Sequence, residues 1–362
     1  MGEQENCVPP TSSSKKRSTS VAQPQQLPNL KRRVVLGELT NSPSIALAQC
    51  SDQPLKKRDD NMKEEESDQG ALDEAEILTV SSVDPQRCAY SSSIYMHLHS
   101  LEMEANRRPL PNYMEKVQKD VSADMREVLV DWMVEISEEY KLVSDTLYLS
   151  VSYVDSFLSS FPISRNKLQL VGVSCMLIAS KYEEISPPHA EDFCYITDNT
   201  FTKEEVLDME RNVLKFLNFE MSNPTTKNFL RIFTRTVNAL ENRKYFDAHF
   251  EFLGCYLAEL SLLDYFCVRF LPSVVAASAI FLSRFTIQPE VHPWSRAMQF
   301  YSGYRPFDLK DCVLAIHDLQ LNRKGSPMRS VRDKYTKQKF NCVATLSSPS
   351  EIPALYFEPM DK

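Results

Sequence analysis

After about residue 88, apolar residues recur at steps of three and four, the spacing that places side chains on one face of an α-helix. The segment 90–105 predicts one helix, ended by Pro109 and Pro111. Ser122 is placed to cap a helix running to about residue 140, with Met125, Val128, Leu129, Trp132, Met133 and Ile136 apolar. Ser144 offers a second cap, for a helix through Leu147, Val151, Val154 and Leu158. A third helix is expected over about 164–183. A short fourth is expected to start at Pro187-Pro188, because proline is tolerated in a first turn. A fifth begins at Thr202, with Glu205 three residues on as a capping box. A second series is predicted at roughly 224–238, 243–262, 270–286, 293–301 and 306–323, with Pro272, Pro293 and Pro306 near starts. No convincing run alternates as a strand would.

The two series share a local pattern. Residues 177–182 (LIASKY) align with 280–285 (IFLSRF), and each follows small residues, Gly172-Val173-Ser174-Cys175 and Val275-Ala276-Ala277-Ser278. Small side chains let other helices approach a central helix closely, so each series reads as one repeat; chance similarity between two buried helices is the alternative. The expected fold is all-α: two tandem five-helix repeats with an extra N-terminal helix, behind a disordered tail. The expected boundaries are 1–86 for the tail, 87–220 for the first repeat with its preceding helix, 221–324 for the second, and 325–362 for a polar, proline-containing C-terminal tail, extended or partly docked.

Residues 1–86 are rich in Ser, Pro, Gln and charge, without sustained apolar periodicity. Residues 1–58 hold nine Lys/Arg against four Asp/Glu, whereas 59–86 hold one Lys against ten acids. The clusters Lys15-Lys16-Arg17, Lys31-Arg32-Arg33 and Lys56-Lys57-Arg58 fit nuclear import signals and fit solvated tail charge equally well. The net charge of −8 argues against a nucleic-acid binder, which needs a basic face. Seven glycines, none close enough to build a phosphate-cradling loop, argue against a Rossmann enzyme, a P-loop NTPase and a kinase. The nine cysteines form no CxxC pair and sit at no metal-ligand spacing, so buried small hydrophobes in a reducing compartment are expected, with no metal and no cofactor. There is no apolar leader and no membrane-length apolar run, so a soluble intracellular protein is expected. Six histidines without HExxH, and no GxSxG, leave no catalytic residue to nominate.

Three blocks carry a resemblance: MREVLVDWMVEISEEY at 125–140, KLQLVGVSCMLIASKYEEISPP at 167–188, and FCYITDNTFTKEEVLDMERNVLKFLNF at 193–219. In this order they closely resemble the cyclin box of A-type cyclins, and the EEYKL ending resembles the plant A-type group, its third subgroup. RDKYTKQKFNCVA at 332–344 is similar to the end of that family's second repeat, so the resemblance covers about 90–345. It implies a non-catalytic subunit that forms a heterodimer with a cyclin-dependent protein kinase, activates it, recruits its substrates and controls passage from S phase to mitosis. By that resemblance Lys181 and Glu210 hydrogen-bond the kinase, with Phe219 and Ile94 as apolar contacts. Met125, Leu129 and Trp132 would form a groove for Arg-x-Leu substrates and inhibitors, Glu135 would attract the basic residue, and Gln169 would bond the peptide backbone. Glu127 is an added acid whose role, sharpening a basic preference or facing solvent, stays open. Arg33, Leu36, Leu39 and Asn41 fit RxxLxxLxN, the destruction box read by the anaphase-promoting ubiquitin ligase. Localisation in the nucleus is implied, with shuttling to the cytoplasm. Ser42-Pro43, Ser326-Pro327 and Ser348-Pro349 are minimal proline-directed phosphorylation sites. The rival is a general transcription initiation factor with paired repeats of the same kind. It would call for a zinc ribbon and a basic face, and the sequence has neither.

Overall fold

The structure, a computed structural model, describes residues 91–240 and 248–358, and all regular elements among them are helical. The first part contains α1 (Ser91–Glu102), α2 (Tyr113–Lys116), α3 (Ala123–Glu139), α4 (Ser144–Leu158), α5 (Arg165–Glu183), α6 (Ala190–Ile196) and α7 (Lys203–Phe216). The caps at α3 and α7 form as expected. Ser122 Oγ accepts from Met125 N at 3.2 Å. Thr202 and Glu205 exchange bonds, Thr202 N donating to Glu205 Oε2 at 2.9 Å and Glu205 N to Thr202 Oγ1 at 3.2 Å.

Two starts differ from expectation. The N-cap of α4 is Val143, and Ser144 is already helical. Glu184, beyond the end of α5, does the capping instead, accepting from Val143 N at 2.8 Å and from the Thr146 hydroxyl at 2.6 Å. Helix α6 starts at Ala190 rather than at the prolines; Pro187 and Pro188 lie in its non-helical lead-in. Asp192 caps it by accepting from His189 N at 2.7 Å.

In the first repeat α5 is central. Its residues from Leu168 to Ser180 are all buried, and α3, α4 and α7 pack around it. Gly172 is required there, because a Cβ at that position would come within 2.8 Å of Leu129 Cδ1. The second repeat comprises α8 (Thr226–Leu240), α9 (Ala248–Leu263), α10 (Pro272–Ile287), α11 (Arg296–Ser302) and α12 (Pro306–Gln320). Helix α10 is its centre, buried at Ala276, Ala277, Ser278 and Ala279 and packed by α8, α9 and α12.

Arg126 ties the repeats together. Its wholly buried guanidinium donates to both oxygens of Asp155 on α4, at 2.6 and 2.7 Å, and to the carbonyls of Leu262 and Leu263 at the end of α9, at 2.9 and 3.2 Å. The Tyr113 hydroxyl donates to Asp155 Oδ1 at 2.8 Å. Burial opposes the charge on Arg126, but the Asp155 carboxylate holds it protonated. Helix α1 precedes the first repeat in sequence yet packs on the second. The Tyr95 hydroxyl donates to the Ser302 carbonyl at 2.7 Å, and its ring meets Phe229, Phe233 and Tyr301. Glu102 accepts from Ser273, at 2.5 Å from Oγ and 3.0 Å from N.

The segment after α12 is docked along its described length. It contains α13 (Ser330–Tyr335) and short 3-10 turns, the last at Ala354–Phe357. Lys334 Nζ donates to both oxygens of buried Glu259 at 2.8 and 2.9 Å, and the Tyr335 hydroxyl donates to Glu259 at 2.7 Å. Arg332 donates to the Leu319 and Gln320 carbonyls and to the Tyr256 hydroxyl. Among the described residues no helix is long and apolar enough to cross a membrane.

Candidate functional site

The last turn of α5 carries Lys181, where a cation is favoured by the carbonyl end of a helix. Its Nζ lies 2.6 Å from Glu210 Oε1 on α7, so the pair bridges two helices. The lysine side chain is 48% exposed and the glutamate 12%, so the ammonium stands at the rim and the carboxylate beneath it. Glu210 is held by its neighbours on α7, since Val206, Met209 and Val213 are buried. The last turn of α5 leaves Tyr182 exposed, and the chain after it leaves Ile185 exposed. The chain after α7 turns through Asn218 and Phe219, both left-handed at φ 50° and 61°. That region is disfavoured for a bulky side chain, at about 1–3 kcal/mol per residue. Phe219 is 66% exposed, so the strained turn leaves most of it in water. Ile94 is likewise exposed, on α1.

The matching place in the second repeat is built differently. Arg284 aligns with Lys181 and is half-buried. Counted from the caps Thr202 and Arg305, the position of Glu210 falls on Val313, which is buried and apolar. The C-terminal segment covers this face. Phe357 stacks on Phe281 at 5.5 Å, Tyr356 packs edge-on to Phe285, and the Pro349 carbonyl lies 2.9 Å from His317 Nε2. Phe285, the counterpart of exposed Tyr182, is buried there.

A second surface lies along α3. Met125 and Trp132 are half-buried and Glu135 is exposed. Leu129 corrects the expectation, because it is 0% exposed and lies against Gly172 as the floor of this surface. Gln169 is also buried, on α5. The half-buried apolar residue beside Leu129 is Val128. The structure therefore brings Met125, Trp132 and Glu135 to the surface and places Leu129 and Gln169 beneath it.

Sequence reasoning missed what occupies the acidic stripe of α3. Glu127, Asp131, Glu135 and Glu138 recur at helical spacing and hold the C-terminal segment. Ser326 Oγ donates to Glu127 Oε1 at 2.6 Å. Ser330 donates to Asp131 through N at 3.0 Å and Oγ at 2.8 Å, and its hydroxyl also meets Glu135 at 3.2 Å. Lys337 and Lys339 donate to Glu138 at 2.9 and 3.0 Å. Glu127 thus faces neither solvent alone nor a free groove. Burial pushes the Asp131 carboxyl up to about 6; hydrogen bonds from Ser330 oppose the rise and the Glu135 charge adds to it. The available signal was the set of carboxylates at helical spacing, with Lys334, Lys337 and Lys339 downstream.

Arg33, Leu36, Leu39 and Asn41, the three basic clusters and Ser42 lie outside the described residues. Among the described residues no group of His, Cys, Asp or Glu is arranged to hold a metal. Cys175, Cys194, Cys267 and Cys312 are buried and free.

Comparison with known proteins agrees with this architecture. Residues 93–222 match the family described as Cyclin, N-terminal domain, and 224–349 match Cyclin, C-terminal domain. The chain is 51% identical to Cyclin-A3-4 of Arabidopsis thaliana over 99% of this chain and 98% of that one. It is 60% identical to Cyclin-A3-1 of Oryza sativa subsp. japonica over 77% of this chain and 74% of the relative. It is 52% identical to G2/mitotic-specific cyclin C13-1 of Daucus carota, over 91% and 97% respectively. Among solved structures, a viral cyclin from herpesvirus saimiri superposes with a TM-score of 0.55 at 21% identity, over 62% of this chain and 96% of that one.

Proposed function

Because the chain belongs to the cyclin family, among the A-type cyclins that regulate the cell cycle, we propose that it binds and activates a cyclin-dependent protein kinase through the Lys181–Glu210 face of its first repeat. The observation that carries this reading is the difference between two equivalent faces. The first repeat presents a bridging ion pair with exposed Tyr182, Ile185 and Phe219, and the second is closed over by the chain's own end.

The mechanism follows from what a kinase lacks. Its catalytic lysine is positioned only when the glutamate of helix αC swings inward to meet it. A rigid helical partner needs only to bind that inward arrangement better than the outward one, and the population follows. Lys181 offers donors to carbonyls of the kinase and Glu210 offers acceptors to its amides. Each already holds the other near its working position, so little side-chain entropy is lost on docking. Exposed Phe219 and Ile94 supply apolar area that leaves water on association.

The same reading extends to the rest of the chain. Met125 and Trp132 dock the leucine of an Arg-x-Leu peptide, with Leu129 supporting them from below and Glu135 drawing the arginine. Gln169 has to become accessible before it can bond such a peptide. Arg33, Leu36, Leu39 and Asn41 mark the chain for the anaphase-promoting ubiquitin ligase, and the basic clusters direct it to the nucleus. The experiment that tests the core of the proposal mixes the purified chain with a monomeric cyclin-dependent kinase whose activation loop is phosphorylated. Histone H1 phosphorylation should appear only with both proteins, together with a complex that co-purifies. No complex with any of several such kinases would overturn it.

A further inference from the structure

Residues 325–329 are a non-helical connector between α12 and α13, entered through Gly325 at φ +64°. Ser326 is half-buried in it, while Pro327 and Arg329 are exposed. The Ser326 hydroxyl donates to Glu127 Oε1 at 2.6 Å, and Ser330 fastens the same connector to Asp131 and Glu135. A serine followed by proline, with a cation two residues further, is what a proline-directed kinase reads. The proline also keeps its preceding residue out of the helical region, which suits an extended substrate. Of the other Ser-Pro pairs, Ser42 lies outside the described residues, Ser348 is buried against Thr286 and His317, and Ser186, exposed before Pro187, is followed by His189 at the place where Ser326 has Arg329.

We propose that Ser326 is a phosphorylation site of a proline-directed protein kinase, and that its phosphate unlatches the connector from α3. ATP is the donor. A bond forms from Ser326 Oγ to the γ-phosphorus as the bond from that phosphorus to the β,γ-bridging oxygen breaks; ADP leaves, and the hydroxyl proton passes to the kinase's catalytic carboxylate. The product has lost the donor that Glu127 accepts and carries a charge of about −1.5 to −2. That charge stands against Glu127, with Asp131 and Glu135 further along the same stripe, so contact turns from attraction to repulsion. Lys324 is already engaged by Asp264 at 2.6 Å, and Lys337 and Lys339 by Glu138. Arg329 lies on the connector itself, so pairing with it does not need the latch. Release is local, because Lys334 stays bonded to buried Glu259 and Arg332 to the end of α12. It leaves the carboxylates of α3 open to solvent. Nothing in this inference depends on the kinase-activating or peptide-docking readings.

The test phosphorylates the full chain with ATP and a recombinant proline-directed kinase, maps the phosphate by mass spectrometry, and compares amide hydrogen exchange with the unmodified chain. The Ser330 amide, which donates to Asp131, should exchange at least tenfold faster once Ser326 carries phosphate, while amides at Lys334 and Tyr335 stay protected. In the phosphorylated Glu127→Gln chain the acceleration should fall at least threefold. Three results overturn the proposal: a free peptide of residues 320–334 that the kinase ignores or that reacts while Ser326 in the folded chain stays unmodified, unchanged exchange after stoichiometric phosphorylation, or an acceleration that Glu127→Gln leaves intact.

Discussion

The two repeats share one plan and finish it differently. Each surrounds a central helix, α5 or α10, whose small residues admit close neighbours. At the ends of those helices the first repeat places a charge pair between α5 and α7 and leaves apolar side chains exposed. The second replaces the carboxylate with Val313 and spreads residues 346–357 over the top. An exposed apolar rim around a charged pair marks a surface kept for a partner. A rim closed by the chain itself has become core. Duplicate architecture therefore leaves one open face, the one proposed for the kinase, and the C-terminal segment decides which repeat keeps it.

The comparison can be broken at several points. Arg126→Ala should have the largest effect, because it strands Asp155 and uncaps two carbonyls of α9 between the repeats. Loss of one partner of a buried pair costs about 3–5 kcal/mol, read as a lowered denaturation midpoint. Phe357→Ala should come next, at about 3 kcal/mol, by uncovering Phe281. It should leave kinase affinity unchanged, since the covered face is structural; a tenfold loss of affinity would erase the distinction between the faces.

A third effect concerns pH. The folded-state pKa of Asp131 is raised, from 3.8 to about 6, so the folded state holds this proton more tightly than the unfolded state does. Its contribution therefore favours folding increasingly as pH falls from about 7 to 4.5, on the order of 2 kcal/mol. Asp131→Asn should remove that rise relative to wild type in urea titrations at several pH values; parallel pH profiles would refute the shift. The smallest change in stability belongs to Lys181→Ala with Glu210→Ala, below about 1 kcal/mol for a pair open to water on one side.

Legibility in the sequence followed the range of the interaction. Ser122 and Thr202 were readable as caps because cap and partner lie three residues apart. Ser144 misled because its helix is served by Glu184, distant in sequence. Helix α3 is apolar on more than one side, so periodicity could not tell that Leu129 faces Gly172 rather than solvent. The pairing of Arg126 with Asp155 and the docking of the C-terminal segment join residues far apart in the chain; the first leaves no local pattern, and the second leaves only the carboxylates recurring along α3. Lys181 and Glu210 drew notice through the surrounding motifs. Their contact, and the closure of the opposite face, came only from the fold.

The most direct measurement is the affinity of the Lys181→Ala, Glu210→Ala chain for the phosphorylated kinase, measured by titration calorimetry beside wild type. The expected result is at least a hundredfold loss of affinity, with an unchanged helical spectrum and denaturation midpoint. Wild-type affinity in that folded variant would contradict the assignment of the first-repeat face to the kinase.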